Sequence, residues 1–432
     1  MTERANPAAR PALIGIMLVG LSFAMLTLAG TTPRGIGRLT DDASQVKLDA
    51  RVFSCTGGIG ADTVRSGNLL NGLDKTRTVR GTPLRIVADR TVARGAFAGQ
   101  QSLSAKALAW VPCPEPHADW WFAGGGSAEI THDTVLTITN PRPGAAVVDV
   151  NVFGTEGPVT APGLHGITIG GRTTRVIDLG KTAPTTGNIA VSVTASRGLV
   201  AVTAADRFAP GVLGKAVQEW LPPQPPPGRD LVLAGLPSVP GSATLSLVNP
   251  STSEAVAKLE VIGTRGTFTP EGLAPFTVPP QSVVTVPISD VLDGTPMAIR
   301  ITSEGTVTGT IRTTKSGDTA FGTGVQLLRD STSFGLPQGF GRLVFSSLSR
   351  AGSVQVIGYD RQGRPVLTKT VKVAASTSVG VKLSARIRYV RLIADQPAVV
   401  AGFSVTYKKG IASAGVAPAI RSTRLPAIRP GW

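Results

Sequence analysis

Chemistry-bearing side chains are scarce. Three histidines and two cysteines in 432 residues leave little from which to build a metal centre, or a nucleophile with its base. His117 stands near Asp119 and His132 beside Asp133, which are ligand types for a metal, but nothing in their spacing fixes one against the other. His165 has no such company. Ser127 follows a glycine run without the strand-to-helix context of a nucleophile elbow and without a paired histidine. No catalytic, cofactor-binding or metal-ligating residue is therefore assigned, and no cofactor is expected. Cys-x-x-Cys spacing is absent as well. Cys55 and Cys113 read as one disulfide of an oxidising compartment, expected to tie the strand near Cys55 to Pro112-Cys113-Pro114, with two free thiols or half a metal site as the alternative. Closing a loop of that length stabilises by roughly 4 kcal/mol in the chain-entropy model.

Helical periodicity is missing too, except in one place. Ala12 to Gly30 reads ALIGIMLVGLSFAMLTLAG without a charge, preceded by Arg4 and Arg10 and followed by Arg34 and Arg38. That is enough to cross a hydrocarbon core as one helix. The small residues around Thr27-Leu28-Ala29 also suit cleavage as a signal segment. An anchored protein with its bulk outside the cytoplasm is the expectation, secretion after cleavage the alternative. Glycine and proline, 51 and 33 residues, make up about a fifth of the chain while 42% stays apolar, which describes turn-rich folded β protein and not disorder.

What is present is repetition. Asn140-Pro141 returns as Asn249-Pro250, Gly154-Thr155 with Gly157 as Gly263-Thr264 with Gly266, and Gly163-Leu164 as Gly272-Leu273, all 109 positions apart. Val261-Ile262-Gly263 matches Val356-Ile357-Gly358, and Val278 to Ile288 matches Val373 to Leu383, so a third, shorter copy follows. Such a period is a whole small domain. Within it, Ala257, Leu259 and Val261 alternate with Lys258 and Glu260, and Val148, Val150 and Val152 with Asp149 and Asn151. Short alternating runs with Gly and Pro turns predict tandem immunoglobulin-like antiparallel sandwiches, with a β-propeller as the competing architecture. Trp110-Val111-Pro112 and Trp220-Leu221-Pro222 read as module entrances, the second leading into a stiff run from Pro222 to Pro227. The expected division is a stub and anchor at 1–30, a linker at 31–45, a partial β segment at 46–106 packing on the first module, sandwiches at 107–216, 217–328 and 329–410, and a basic tail at 411–432.

Together with the apolar segment, the Cys-Pro-x-Pro stretch at Cys113 to Pro116, the run Trp121-Phe122-Ala123-Gly124-Gly125-Gly126 and the strands ending in Asn-Pro resemble an actinobacterial family. It is the domain of unknown function 5719, whose members look like single-pass envelope proteins. The resemblance implies an envelope location and a β-rich ectodomain, and it brings no activity or site residue. The third copy departs from the pattern by lacking Asn-Pro and the Gly-Leu loop.

Charge is uneven. Residues 329 to 432 carry 16 basic and 3 acidic side chains, whereas residues 107 to 328 carry 13 and 17. A fragment this basic attracts polyanions. Lys369 with Lys372, and Arg386 with Arg388 and Arg391, are the candidate polyanion-binding residues, at spacings expected to line a strand face. Trp120, Trp121 and Phe122 are a candidate aromatic surface for sugar rings, the bland reading being core. With no nucleic-acid module present, DNA and RNA are not expected partners. The expectation is a non-enzymatic exported envelope protein, a scaffold or binding module for an anionic envelope polymer or lipid. The alternative is an accessory subunit docking to a membrane enzyme of envelope polysaccharide synthesis.

Overall fold

The structure, a computed structural model, describes residues 50–59, 62–68, 73–79, 83–88, 95–128, 130–209, 214–237 and 241–418, with the short strands 45–47 and 422–424. The expected anchor at 1–30, nearly all of the linker at 31–45 and most of the tail beyond 418 lie outside these residues. No described helix is long and apolar enough to cross a membrane.

After a short strand β1 (Gln45–Lys47), the chain builds one sandwich four times, not three. The amino-terminal copy contains β2 (Arg51–Cys55), β3 (Asp62–Asn68), β4 (Leu73–Val79), β5 (Leu84–Ala88), β6 (Ala96–Leu103) and β7 (Leu108–Pro112). The first full copy contains β8 (Asp119–Ala128), β9 (His132–Thr139), β10 (Ala146–Gly154), the short β11 (Gly157–Val159) and β12 (Ile167–Ile169), β13 (Thr174–Asp178), β14 (Thr185–Arg197), β15 (Ala201–Phe208) and β16 (Val217–Leu221). The second contains β17 (Gly228–Ala234), β18 (Ser242–Asn249), β19 (Ala255–Ile262), β20 (Thr267–Phe268), β21 (Phe276–Val278), β22 (Ser282–Pro287), the long β23 (Ala298–Lys315) and β24 (Asp318–Val325). The third contains β25 (Ser331–Gly335), β26 (Phe340–Ser347), β27 (Gly352–Tyr359), β28 (Pro365–Val373), β29 (Ser378–Leu383), β30 (Tyr389–Ala394), β31 (Val399–Tyr407) and β32 (Gly410–Gly415), and β33 (Ser422–Arg424) returns to pair with β1.

Strand order proves the equivalence. One sheet runs β4-β3-β6-β7, β13-β9-β15-β16, β22-β18-β23-β24 and β29-β26-β31-β32 in the four copies. Its companion is β2-β5, β8-β14-β10, β17-β23-β19 and β25-β30-β27-β28. All pairings are antiparallel. Between the two sheets of the first copy lie the alternating Val148, Val150 and Val152, all buried, with Val193 beside Val150 in the same sheet and Leu136 and Ile138 of β9 opposite. This two-sheet core separates the fold from a propeller, whose blades are single sheets.

The repeats also explain where the sequence misplaces boundaries. β7 pairs with β6, and β16 with β15, so Trp110-Val111-Pro112 and Trp220-Leu221-Pro222 end their copies and do not open the next. Residues 46–106 are not a patch on the first module but most of a reduced copy, with two strands in its companion sheet. The Cys55–Cys113 disulfide joins β2 to the end of β7 inside that copy, so it staples the smallest core and not the junction beyond it.

The last strands of the four copies meet in a closed cycle: β7 packs on β16 and β32, and β24 packs on the same two. Apolar clusters seal the boundaries between copies, as with Trp121, Ala123 and Phe153 against Val248 and Val283. The proline run is pinned in this packing. Gln224 donates its N–H to Trp121 O at 2.7 Å and accepts from Gly324 N at 2.8 Å, and Pro225 O accepts from the Thr308 hydroxyl.

The Asn-Pro repeat is a structural device. Asn140 Nδ2 donates to the carbonyls of Gly144, Ile169 and Gly170, and Asn249 Nδ2 to those of Ser253, Val278 and Pro279, each set offset by the repeat. Both asparagines are fully buried, and their side-chain oxygens accept the N–H two residues on. In the third copy Ser347 takes this place, its hydroxyl donating to Arg350 O. Asn249→Ala is expected to lower stability by about 1–3 kcal/mol in urea unfolding, because buried carbonyls and one N–H lose their partners. Asn249→Asp should be no milder, since it offers those carbonyls an acceptor.

Candidate functional site

The aromatic trio is not a surface. Phe122 is fully buried, and Trp120 stacks on it at 6.4 Å between ring centres while its indole N–H donates to Val200 O. Trp121 points the other way, as alternate residues of β8 must, and stacks on Phe153 at the boundary with the second copy. Of the three, Trp121 alone keeps partial exposure. The glycine run lies inside β8, where Gly124, at φ 81°, forms a bulge and does not turn the chain. Its smallness is used at Gly126: a Cβ there would lie 2.2 Å from the His132 ring.

The histidines do not converge. His117 bridges to Val200 through backbone bonds and meets Trp120 edge-on; burial lowers its pKa, with Glu115 and Asp119 opposing. His165 is exposed and 3.9 Å from Asp149. His132 belongs to a buried cluster at the boundary of the first and second copies. Its Nε2 lies 3.1 Å from Asp206 Oδ1 and 2.7 Å from Arg312 Nη2, and Arg312 Nη2 also donates to Gly124 O at 2.5 Å. Burial alone would raise Asp206, but the charge and hydrogen bond of His132, the charge of Arg312 and the Thr134 hydroxyl hold it below the usual carboxylate range. Ser127, also buried, accepts from Thr185 N, and its cross-strand neighbour Asp133 accepts from Gly180 N. Among the described residues no three His, Cys, Asp or Glu side chains gather as a metal would need.

The five basic candidates fall on different faces. Lys369 is paired with Val356, whose side chain enters the core, while Lys372 is paired with Ser353 and Arg391 with Ile357 on the opposite face. Arg386 and Arg388 precede β30 in a turn around Ile387, which lies against Gly358 and Leu367. Period-two logic fails here because 369 and 372, like 388 and 391, differ by an odd number. Lys369, Lys372 and Arg386 are exposed and make no ion pair among the described residues. Arg391 donates to the Ser331 hydroxyl and Arg388 to Ala385 O.

A family model described as a family of unknown function, DUF5719, matches residues 74–384. The chain belongs to this family. The DUF5719 match runs from β4 to just past β29, so it takes in the first and second copies whole and parts of the outer two. No curated protein matches. Among solved structures, an α-L-rhamnosidase of Streptomyces avermitilis complexed with L-rhamnose is 10% identical, with a TM-score of 0.11, over 87% of this chain and 54% of that one. The chain thus spans about half the length of the rhamnosidase. The structure of infectious bursal disease virus, Gx strain, is 10% identical, with a TM-score of 0.11, over 89% and 86%. Neither likeness carries an argument about this DUF5719 chain.

Two buried acids escaped sequence reasoning. Glu219 Oε1 accepts from Trp110 N at 3.1 Å and from Trp220 N at 2.7 Å, and Asp318 Oδ2 accepts from Leu108 N at 3.0 Å and Ile411 N at 2.8 Å. Burial, with Asp318 adding to it, pushes the Glu219 carboxyl well above its ordinary value. Burial pushes Asp318 from 3.8 to about 6. The folded state therefore holds this proton more tightly than the unfolded chain. Its contribution to stability is full below about pH 4 and is lost as pH rises through about 6, roughly 3 kcal/mol over that window. Asp318→Asn keeps an acceptor for both N–H groups and cannot ionise. Denaturant midpoints measured at both ends of the window should show a flatter pH dependence in the variant than in the wild type; parallel slopes would refute the assignment.

Proposed function

We propose that this DUF5719 chain is a non-enzymatic envelope protein, anchored or exported through its apolar segment at 12–30, that binds an anionic envelope component. The observation that carries the reading is uncompensated basic charge: 16 basic against 3 acidic side chains in residues 329–432, with Lys369, Lys372 and Arg386 exposed and without ion pairs among the described residues. Because these cations sit on both faces of one outer sheet and in its flanking turn, they create a broad positive field and not a fitted pocket. A field of this kind suits a polymer or a lipid surface, whose charges repeat. The copies hold one another through buried contacts, so the third copy is presented on a firm base.

The test is binding of the full chain to isolated cell envelope across a salt series. Affinity is expected to fall steadily as salt rises. The triple variant Lys369→Glu, Lys372→Glu, Arg386→Glu, at exposed positions that leave the core intact, should weaken binding on the order of a hundredfold at low salt. Undiminished binding by that variant would remove this face from the assignment. A complex indifferent to salt would favour the docking of an accessory subunit onto a membrane enzyme.

A further inference from the structure

Two grooves in this molecule are built from the same parts but differ in charge. At the boundary of the first and second copies, a groove of about 610 Å³ is formed by β10, the β10–β11 hairpin and, from the second copy, Pro250 and Gln281. At the boundary of the amino-terminal and first copies, a groove of about 650 Å³ is formed by β2 and β5 and, from the first copy, Pro141 and Arg172. Pro141 and Arg172 precede Pro250 and Gln281 by the repeat length, so both grooves lie where an Asn-Pro corner approaches the companion sheet of the preceding copy.

The backbone of this corner is fixed. Arg172, Gln281 and, in the third copy, Ser376 occupy the same left-handed position, at φ 57°, 50° and 58°. Arg172 N donates to Arg142 O as Gln281 N donates to Ser251 O. A non-glycine residue held there points its side chain in a set direction, and what varies between copies is the side chain itself. In the groove of the amino-terminal copy it is a guanidinium, and a second arginine, Arg85, lines the same groove. Arg85 stands beside Ser54 as its cross-strand neighbour on the outer face of β2 and β5. Neither Arg85 nor Arg172 has an ion-pair partner among the described residues. Ser54 is 1% exposed and its hydroxyl has no hydrogen-bond partner, an orphan polar group in the groove floor. Thr173, whose hydroxyl donates to Gly170 O, and Thr174, whose hydroxyl pairs with that of Thr139, stand in the wall, and buried Pro141 closes one side.

We infer that this groove is a binding site for an anionic saccharide unit. Arg85 and Arg172 take its phosphate or carboxylate, and the exposed Thr173 Oγ1, already donating to Gly170 O, accepts from one of its hydroxyl groups. Planar guanidinium forks suit an oxyanion of either kind, and the volume is in the range of ligand pockets. The site is separate from the basic surface of the third copy and does not depend on it.

Ligand-observed NMR on the full chain with glucose 6-phosphate, glucuronate, glucose and inorganic phosphate tests the inference. Either anionic sugar, or both, is expected to bind, with phosphate-bearing and carboxylate-bearing units distinguished by which of the two prevails. Glucose and inorganic phosphate should bind at least about tenfold more weakly, each lacking half of the contacts. Arg172→Gln installs the residue that the equivalent turn already tolerates, so the fold is retained; this variant and Arg85→Ser should each reduce anionic-sugar binding about tenfold. The triple variant in the third copy should bind these sugars as the wild type does, which keeps the two sites distinguishable. The inference is overturned if the wild type binds neither anionic sugar, if glucose or phosphate binds as well as they do, or if the two arginine variants bind unchanged.

Discussion

Where the last strands of four sandwiches meet, β7, β16 and β32 bring a sheet edge into a buried place, while β24 is paired with β17 over its final residues. β7 spends alternate N–H groups on β6 and aims Leu108 N and Trp110 N at the centre, and β32 aims Ile411 N there. A buried N–H without an acceptor is among the costlier defects a fold can carry. Asp318 and Glu219, from the second and first copies, supply the acceptors. Their carboxyls take N–H bonds from the amino-terminal and third copies, so the cycle is closed by side chain to backbone bonds across copies. An exposed edge would invite another chain; here each edge is capped by its neighbour. The same burial that makes these bonds effective pushes both acids upward in pKa, which is the electrostatic consequence of the closure.

The boundary between the first and second copies uses a different solution. Arg312 is drawn below the ordinary guanidinium range by burial, with Asp206 opposing. It is kept in place by Asp206, Gly124 O and His132, and by the faces of Phe208 and Phe321 at 4.6 and 5.6 Å. Removing Arg312 would leave Asp206 buried without its guanidinium, and removing Asp206 would leave Arg312 buried without a carboxylate, so the pair fixes how the two copies fit more than it adds to their attraction. Apolar contacts such as Trp121 on Phe153, beside Val248 and Val283, supply the larger share of that attraction.

The legible part of this protein is what local pattern encodes. Alternation in Ala257 to Val261 and in Val148 to Val152 specifies half-buried strands, the 109-residue offset specifies copies, and two cysteines in a chain without Cys-x-x-Cys specify their disulfide. The amino-terminal copy escaped because its companion sheet keeps two strands and its sequence no longer matches the period. Alternation identifies a strand without naming its partner, so the Trp-x-Pro strands read as entrances although they pair back and close their copies. The aromatic trio could be weighed as surface or core, and β8 sends Trp120 and Phe122 one way and Trp121 the other into two different interiors. Arg312 meets His132 and Asp206 across 180 and 106 positions, and no local pattern announces such a pair.

Repetition also separates scaffold from recognition. Asn140 and Asn249 make the same bonds to the same carbonyls, and the left-handed turn recurs at residues 172, 281 and 376, so these features answer a demand of the backbone that every full copy shares. A feature present in one copy answers no such demand. Arg172 among Gln281 and Ser376, Arg85 beside the orphan Ser54 hydroxyl, and the uncompensated lysines of β28 are features of this second kind. Equivalent backbones provide the internal comparison that a lone domain lacks: where geometry is held constant and one copy alone places guanidinium groups in a groove, the charge is not required by the fold. Arg85 and Arg172 line one cavity without an ion-pair partner among the described residues, which is why the search for a ligand begins at the amino-terminal groove as well as at the basic third copy.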